Sequence, residues 1–304
     1  MSPSATAEPA SPLLLRPIGV VGRTVLTVTS YAGAAVLLAL GALGWVLRSD
    51  KDRAQGLPGF ALTTTRQLGW MLAFGMPLVA LAHMAMGSFL ALQSYYGSTF
   101  IDGTGAVVGV GLLRNLGGML SGMILAGLMA ARMIPELRRQ HDLHPEADPG
   151  EILPVAFRLA APRIAAAMIA SPMLGLWGVA VGTFTGWQAA VSMMGIPTRT
   201  FFLMMFKMMW IRDVIGLVGK GILFGALPAS ICCHEAMRHG FREDPTPNDP
   251  ASLHADAGVP MARPIFRATC LGILSILIVS SSWFMLVYHA VPFYGPTLLK
   301  TPTP

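Results

Sequence analysis

Residues 161–187 read APRIAAAMIASPMLGLWGVAVGTFTGW, and this stretch decides the class of fold. After Arg163 it contains no Asp, Glu, Lys or Arg. A helix of about 20 apolar residues is long enough to cross the hydrocarbon layer of a membrane. The stretch therefore predicts a membrane-spanning helix. Four further segments have the same length and apolar character, at 70–96, 105–134, 212–235 and 264–291.

The composition of the whole chain agrees with this interpretation. Of its 304 residues, 54% are hydrophobic and 12% are charged, and the mean hydropathy is +0.60. A soluble domain carries about 25% charged residues. The composition excludes a soluble enzyme and an intrinsically disordered chain. We predict an all-α, multi-pass membrane protein with about five transmembrane helices.

The positions of Lys and Arg predict the topology. Basic residues concentrate in 136–163, in 236–267 and before residue 70, whereas the 97–110 turn has only the acidic Asp102. Cytoplasmic loops are enriched in Lys and Arg, so the polar basic loops are predicted to be cytoplasmic. The net charge of +6 then reflects topology, and we expect no nucleic-acid partner.

The segment 25–47 is also long enough to cross a membrane. A full crossing would place Arg16 and Arg23 outside, so we predict instead an interfacial or hairpin helix segment over 16–58. Residues 1–15 are predicted to be a disordered cytoplasmic tail, residues 59–295 the main membrane domain, and residues 296–304 a C-terminal tail.

The sequence carries no pattern typical of catalysis. The Gly219-Lys220 pair lacks both the first Gly and the Ser or Thr of an ATP-binding P-loop. There is no His-Glu-x-x-His zinc motif, and the three cysteines lack zinc-site spacing. We therefore expect a chain that is not an enzyme and that has no metal site and no cofactor.

Ionisable residues inside apolar spans indicate function or a specific partner. Arg114 lies in the 105–134 span and has no acidic residue at 115, 117, 118 or 121. Its counter-charge is either a lipid headgroup, or Asp213, or helix carbonyl groups. Arg212 and Asp213 are interpreted as an interfacial pair. Gly178, Gly182 and Gly186 lie four residues apart on one helix face, which indicates close helix packing or a dimer or gating interface.

Several short motifs together resemble the MlaE/YrbE permease family. In order along the chain they are LQ (92–93), LLRNLG (112–117), AG (126–127), PE (135–136), APR (161–163), KGILFG (220–225) and Arg267. The resemblance covers roughly residues 60–291. It implies an MlaE-like permease fold, in which an N-terminal interfacial or elbow helix precedes the spans.

The resemblance also implies a function. Such a chain is the permease subunit of an MCE-type ABC transporter in the inner (cytoplasmic) membrane, and it moves phospholipids or other hydrophobic lipids between that membrane and the outer envelope. The implied partners are a separate, MlaF-like ABC ATPase, an MCE-domain protein, membrane lipids, and a second permease copy or a paralogue.

Candidate site residues come from the matched motifs and from the apolar and basic stretches beside them. The expected substrate-binding residues are Gln93, Arg114, Asn115, Met119 and Met123. The expected residues for coupling to the ATPase are Glu136, Arg138 and Arg139, and those for packing are Gly178, Gly182, Gly186 and Lys220.

The chain also departs from the family pattern. Asn115 stands where the family has Glu, Leu128 replaces an Arg, and Pro145 and Pro149 interrupt the stretch that would couple to the ATPase. This divergence leaves two other functions open. One is a non-transporting scaffold for MCE or envelope proteins, and the other is an ion-driven secondary transporter, which would need paired acids in mid-span.

Overall fold

The computed structural model describes residues 15–48, 59–97, 103–142, 152–238 and 259–289. The predicted tail up to residue 14, the C-terminal tail, Pro145 and Pro149 lie outside these ranges. Within them the chain is helical, which confirms the all-α prediction. The helices are α1 (Leu15–Arg48), α2 (Phe60–Gly97), α3 (Thr104–Gly111), α4 (Gly117–Asp142), α5 (Ile152–Met194), α6 (Thr198–Met208), α7 (Ile211–Arg238) and α8 (Val259–Trp283), with π-helical segments at Leu112–Leu116 and Phe284–His289.

Six helical stretches in the described part of the chain are long and apolar enough to cross a membrane. They are Val25–Gly44, Phe60–Tyr96, Thr104–Gln140, Ala156–Met194, Ile211–Met237 and Ala262–Val287. The last five coincide with the five predicted spans. The protein is therefore a multi-pass membrane protein. The first stretch belongs to α1, which is one continuous helix over Leu15–Arg48, and the interfacial or hairpin placement of 16–58 stays a prediction.

The helices extend further than the apolar segments do. The polar region 136–160 is predicted as a loop, but α4 continues to Asp142 and α5 already begins at Ile152. Residues 136–142 read ELRRQHD, and Glu, Leu, Arg and Gln have high helix propensity. Helix α4 therefore continues beyond its apolar segment, because the residues that follow still favour a helix.

A short helix, α6, was not predicted because its 11 residues are too few to cross a membrane. The chain turns at Gly195, which has a φ of 67°, and α6 then packs against α3. A Cβ atom on Gly105 would lie 2.0 Å from the carbonyl oxygen of Phe201, and one on Gly109 would lie 2.3 Å from Met205 Cγ. These two glycines therefore allow the close approach of α6.

The core is centred on α5, which packs against α1, α2, α4 and α7, while α8 packs against α4 and α7. Small residues set the helix spacing. A Cβ atom on Gly87 of α2 would lie 2.0 Å from the carbonyl oxygen of Gly182, and one on Gly225 of α7 would lie 2.1 Å from that of Ala167. Such backbone contacts are typical of helix packing in membranes, where glycine lets helices touch.

Candidate functional site

A π-helical turn at Leu112–Leu116 joins α3 to α4 without a break. Its sequence is LLRNL, and Leu112 and Leu113 are buried in the core. Arg114 and Asn115, the polar residues of the turn, are only partly buried. Single π-helical turns occur frequently at functional sites because the wider turn offers backbone groups to other partners. The turn is therefore a candidate functional site.

Arg114 of the π-helical turn is paired with the first turn of α7. Its Nε lies 3.1 Å from Oδ1 of Asp213, and its Nη2 donates to the carbonyl oxygen of Met208 at 3.3 Å. Asp213 is 1% exposed, so it is a core residue, and its pairing with Arg212 stays a prediction. Of the partners left open for Arg114, the structure contains Asp213 and a helix carbonyl.

Lys220 binds the backbone of the same π-helical turn. Its side chain is buried, and Nζ donates a hydrogen bond to the carbonyl oxygen of Arg114. Lys220 and Asp213 both belong to α7. One helix therefore supplies an anion for the Arg114 side chain and a cation for the Arg114 backbone.

A cavity of about 240 Å³ opens beside the π-helical turn. Its polar side is formed by Asn115, whose Oδ1 accepts a hydrogen bond from the hydroxyl of Ser280 at 2.7 Å. Its remaining lining is mainly apolar. The lining residues are Asn115, Met119, Leu277, Ser280, Ser281, Phe284 and Met285. The cavity therefore combines a hydrogen-bonding pair with an apolar wall inside a membrane-spanning region.

The predicted substrate-binding residues do not all meet at this cavity. Asn115 and Met119 line it, and Arg114 is the neighbour of Asn115 in the turn but is not a lining residue. Met123 lies one turn beyond Met119 and packs against the buried cluster of Phe224 and Ile276. Gln93 is exposed near the end of α2, and it too is absent from the lining.

The glycine row of α5 faces α2 and α3. A Cβ atom on Gly178 would lie 2.6 Å from the ring of His83, one on Gly182 would lie 2.8 Å from Leu112, and one on Gly186 would lie 2.6 Å from Val108. The ring of His83 also reaches the start of α4, because its Nε2 lies 3.2 Å from the carbonyl oxygen of Gly117. The row therefore seats α5 against the helices that carry the π-helical turn.

The predicted coupling residues divide into two groups. Arg139 is exposed and Arg138 is partly exposed. Glu136 is partly exposed but is bound to neighbouring helices, since its Oε1 accepts hydrogen bonds from Arg163 Nη2 and from Gln67 Nε2, both at 2.9 Å.

Sequence reasoning missed the contribution of α8 to the cavity. Leu277, Ser280, Ser281, Phe284 and Met285 come from α8 and from the π-helical segment that follows it. One signal was present, since residues 280–282 are three consecutive serines within an apolar span. Polar side chains in a span commonly form hydrogen bonds between helices, as Ser280 does with Asn115.

Comparison with known proteins gives consistent matches. The family described as Permease MlaE matches residues 64–246. A probable ABC transporter permease protein of Rickettsia typhi is 26% identical over 234 residues, which cover 75% of this chain and 86% of that protein. A similarly described protein of Rickettsia prowazekii is 29% identical over 181 residues, which cover 58% and 69%. The family match includes the π-helical turn, Glu136, Arg163 and Asp213, and it extends over more than half of the sequence. The chain belongs to the MlaE permease family.

Proposed function

We propose that this chain is the permease subunit of an MCE-type ABC transporter that moves phospholipids or other hydrophobic lipids between the inner membrane and the outer envelope. The observation that carries the proposal is the cavity beside the π-helical turn. A lipid has a polar end and apolar chains, and the cavity offers the Asn115–Ser280 pair next to apolar residues such as Met119 and Phe284.

In this proposal, Asn115 of the π-helical turn meets the polar end of the lipid, and Arg114 acts from beside the cavity. Asn115 forms the polar side of the cavity, and Arg114 contributes a cation whose charge is balanced by Asp213. Met119 contacts the lipid chains, because flexible Met side chains adapt to varied apolar partners. Met123 and Gln93 lie outside the cavity and contact the lipid on its way to or from it.

The energy source is a separate ABC ATPase. The full sequence lacks a P-loop, and the relatives are named as probable ABC transporter permeases. The exposed Arg139 and the partly exposed Arg138 near the end of α4 are the proposed contacts with that ATPase. An MCE-domain protein receives or delivers the lipid, and a second permease copy or a paralogue completes the complex.

Purification and reconstitution test this function. The tagged chain is extracted from native membranes in mild detergent, and mass spectrometry identifies the chains and lipids that accompany it. The complex is then placed in proteoliposomes, and transfer of nitrobenzoxadiazole-labelled phosphatidylethanolamine is measured with and without ATP. We expect a P-loop ATPase to co-purify and transfer to require ATP. Absence of any ATPase, or transfer that is independent of ATP, contradicts the proposal.

A further inference from the structure

An ion pair between a buried arginine and a glutamate that is 30% exposed joins α4 and α5 where the two helices approach their polar ends. The side chain of Arg163 is 1% exposed, and its Nη2 lies 2.9 Å from Oε1 of Glu136. The same guanidinium donates to Oε1 of Gln140 at 2.9 Å and to the carbonyl oxygen of Leu159 at 2.7 Å. Arg163 therefore binds both helices through several directed hydrogen bonds.

A third helix, α2, joins this hydrogen-bond network through Gln67. Its Nε2 donates to the carboxylate oxygen of Glu136 that also receives Arg163. The side-chain oxygen of Gln67 in turn accepts a hydrogen bond from the indole of Trp70, which fixes the orientation of the amide. A single carboxylate oxygen thus connects α2, α4 and α5.

Each member of the ion pair directly follows a proline inside its helix. Pro135 precedes Glu136 in α4, and Pro162 precedes Arg163 in α5. Proline has no N–H, so Pro135 cannot donate the helix hydrogen bond to the carbonyl of Ala131, and Pro162 cannot donate to that of Arg158. Both helices consequently lack one internal hydrogen bond at the level where the ion pair bridges them, and bending is easiest there.

An ion pair is an expensive way to join helices in this setting. Burial of a charge carries a penalty of several kcal/mol, which here falls mainly on Arg163, and well-packed apolar residues often stabilise a core as well or better. Ionisable groups within spans are by default functional. Hydrogen bonds between the two helices beside their prolines fix the orientation of one helix relative to the other. Apolar contacts do not have this property.

We propose that Glu136 and Arg163 are positioning residues that make the polar ends of α4 and α5 move as one lever about Pro135 and Pro162. Gln67 passes this movement to α2. The inference rests on the proposed function for the origin of the movement, which is the ATPase acting on the exposed Arg139 side. In this inference, Glu136 couples the ATPase to the cavity by transmitting force inside the permease.

Distance measurements on the permease alone test the lever without any partner. Spin labels are attached at Thr65→Cys in α2 and Arg139→Cys in α4, both exposed positions, after Cys270→Ser removes the exposed native thiol. A control pair at Tyr96→Cys and Met193→Cys reports on the opposite ends of α2 and α5. The test variant is Glu136→Leu with Arg163→Met, which replaces the ion pair with apolar side chains and leaves no unpaired charge.

In the parent chain we expect a single narrow distribution of distances between the labels at 65 and 139. In the double variant we expect this distribution to broaden. The 96–193 distance stays unchanged. An unchanged 65–139 distribution overturns the lever. A change in both pairs also overturns it, because the ion pair then serves only general stability.

Transport measurements separate a lever from a structural contact. In the reconstituted complex, the double variant retains its ATPase and hydrolyses ATP, but labelled lipid moved per ATP falls about tenfold. The control Arg132→Met removes a neighbouring cation of α4, which lies over the Trp70 ring, and leaves this ratio unchanged. An unchanged ratio in the double variant overturns the lever. If the parent complex moves no lipid with ATP, the proposed function fails, and the spin-label result still decides the lever.

Discussion

Arg114 and Asp213 are 99 residues apart in the sequence, yet their side chains meet at 3.1 Å. The contact ties the π-helical turn to the start of α7. Because Asp213 also accepts a hydrogen bond from the backbone N–H of Trp210 at 3.0 Å, the carboxylate is held in place before Arg114 reaches it. The position of the candidate substrate cavity depends on this pair.

Removal of the Asp213 charge should destabilise the protein. Asp213→Asn removes the negative charge that faces Arg114, whose side chain is 25% exposed, so we expect a loss of about 2 kcal/mol, less than for a fully buried pair. Unfolding in mixed dodecyl sulfate micelles gives the change in free energy. The double variant Arg114→Met with Asp213→Leu should recover most of the loss. Equal losses in the single and double variants contradict the pairing.

Two glycines of α2 should respond oppositely to the same substitution. Gly87→Ala places a Cβ atom 2.0 Å from the Gly182 carbonyl oxygen, so α2 and α5 must separate, at a cost of about 1–3 kcal/mol. Gly69→Ala meets no atom within 4 Å and should be neutral or stabilising, since Ala favours helices. The same unfolding assay measures both, and equal effects would show that α2 and α5 do not touch at Gly87.

The polar side of the cavity should control lipid binding. Ser280→Ala removes the hydroxyl that binds Asn115, and we expect affinity for nitrobenzoxadiazole-labelled phosphatidylethanolamine to fall about fivefold, the effect of one lost hydrogen bond. Ser275→Ala is the matched control, because that hydroxyl donates to the Gly272 carbonyl oxygen of its own helix. Fluorescence titration in detergent measures both variants. Unchanged affinity for Ser280→Ala would exclude this cavity as the lipid site.

Charge at the end of α4 should determine ATPase association. Arg139→Glu reverses an exposed charge and should weaken co-purification of the ATPase about tenfold, with a larger effect at low salt. Arg66→Glu reverses another exposed charge, near the start of α2, and serves as the control. Equal losses in both variants indicate a general electrostatic effect, which would remove Arg139 from the contact.

The positions of the membrane spans could be predicted from the sequence because they depend on a local property of each segment. Apolar length determines whether a segment can cross a membrane, and the five predicted segments coincide with long helices. The short helix α6 escaped this criterion. Its position depends on the Gly195 turn and on the fit of Phe201 and Met205 against Gly105 and Gly109, and apolar length carries no information on such a fit.

The sequence predicted candidate site residues one by one, without the contacts between them. Arg114 stood out as a charge in a span, and Asp213 and the carbonyls were among its open partners. The pairing of Glu136 with Arg163 and Gln67, and that of Asn115 with Ser280, arises from helix packing across 27 to 165 residues of sequence. Spacing along one helix cannot reveal contacts that another helix completes.

The π-helical turn also sets the rotational phase between α3 and α4. A π-helical turn accommodates one residue more than an α-helical turn, and one residue in an α-helix corresponds to about 100° of rotation. Loss of a single residue from Leu112–Leu116 would therefore rotate the face of α4 that carries Met119 and Met123 relative to α3. Insertions and deletions in this turn should be rarer among homologues than substitutions, because a change in length would misdirect every side chain that follows.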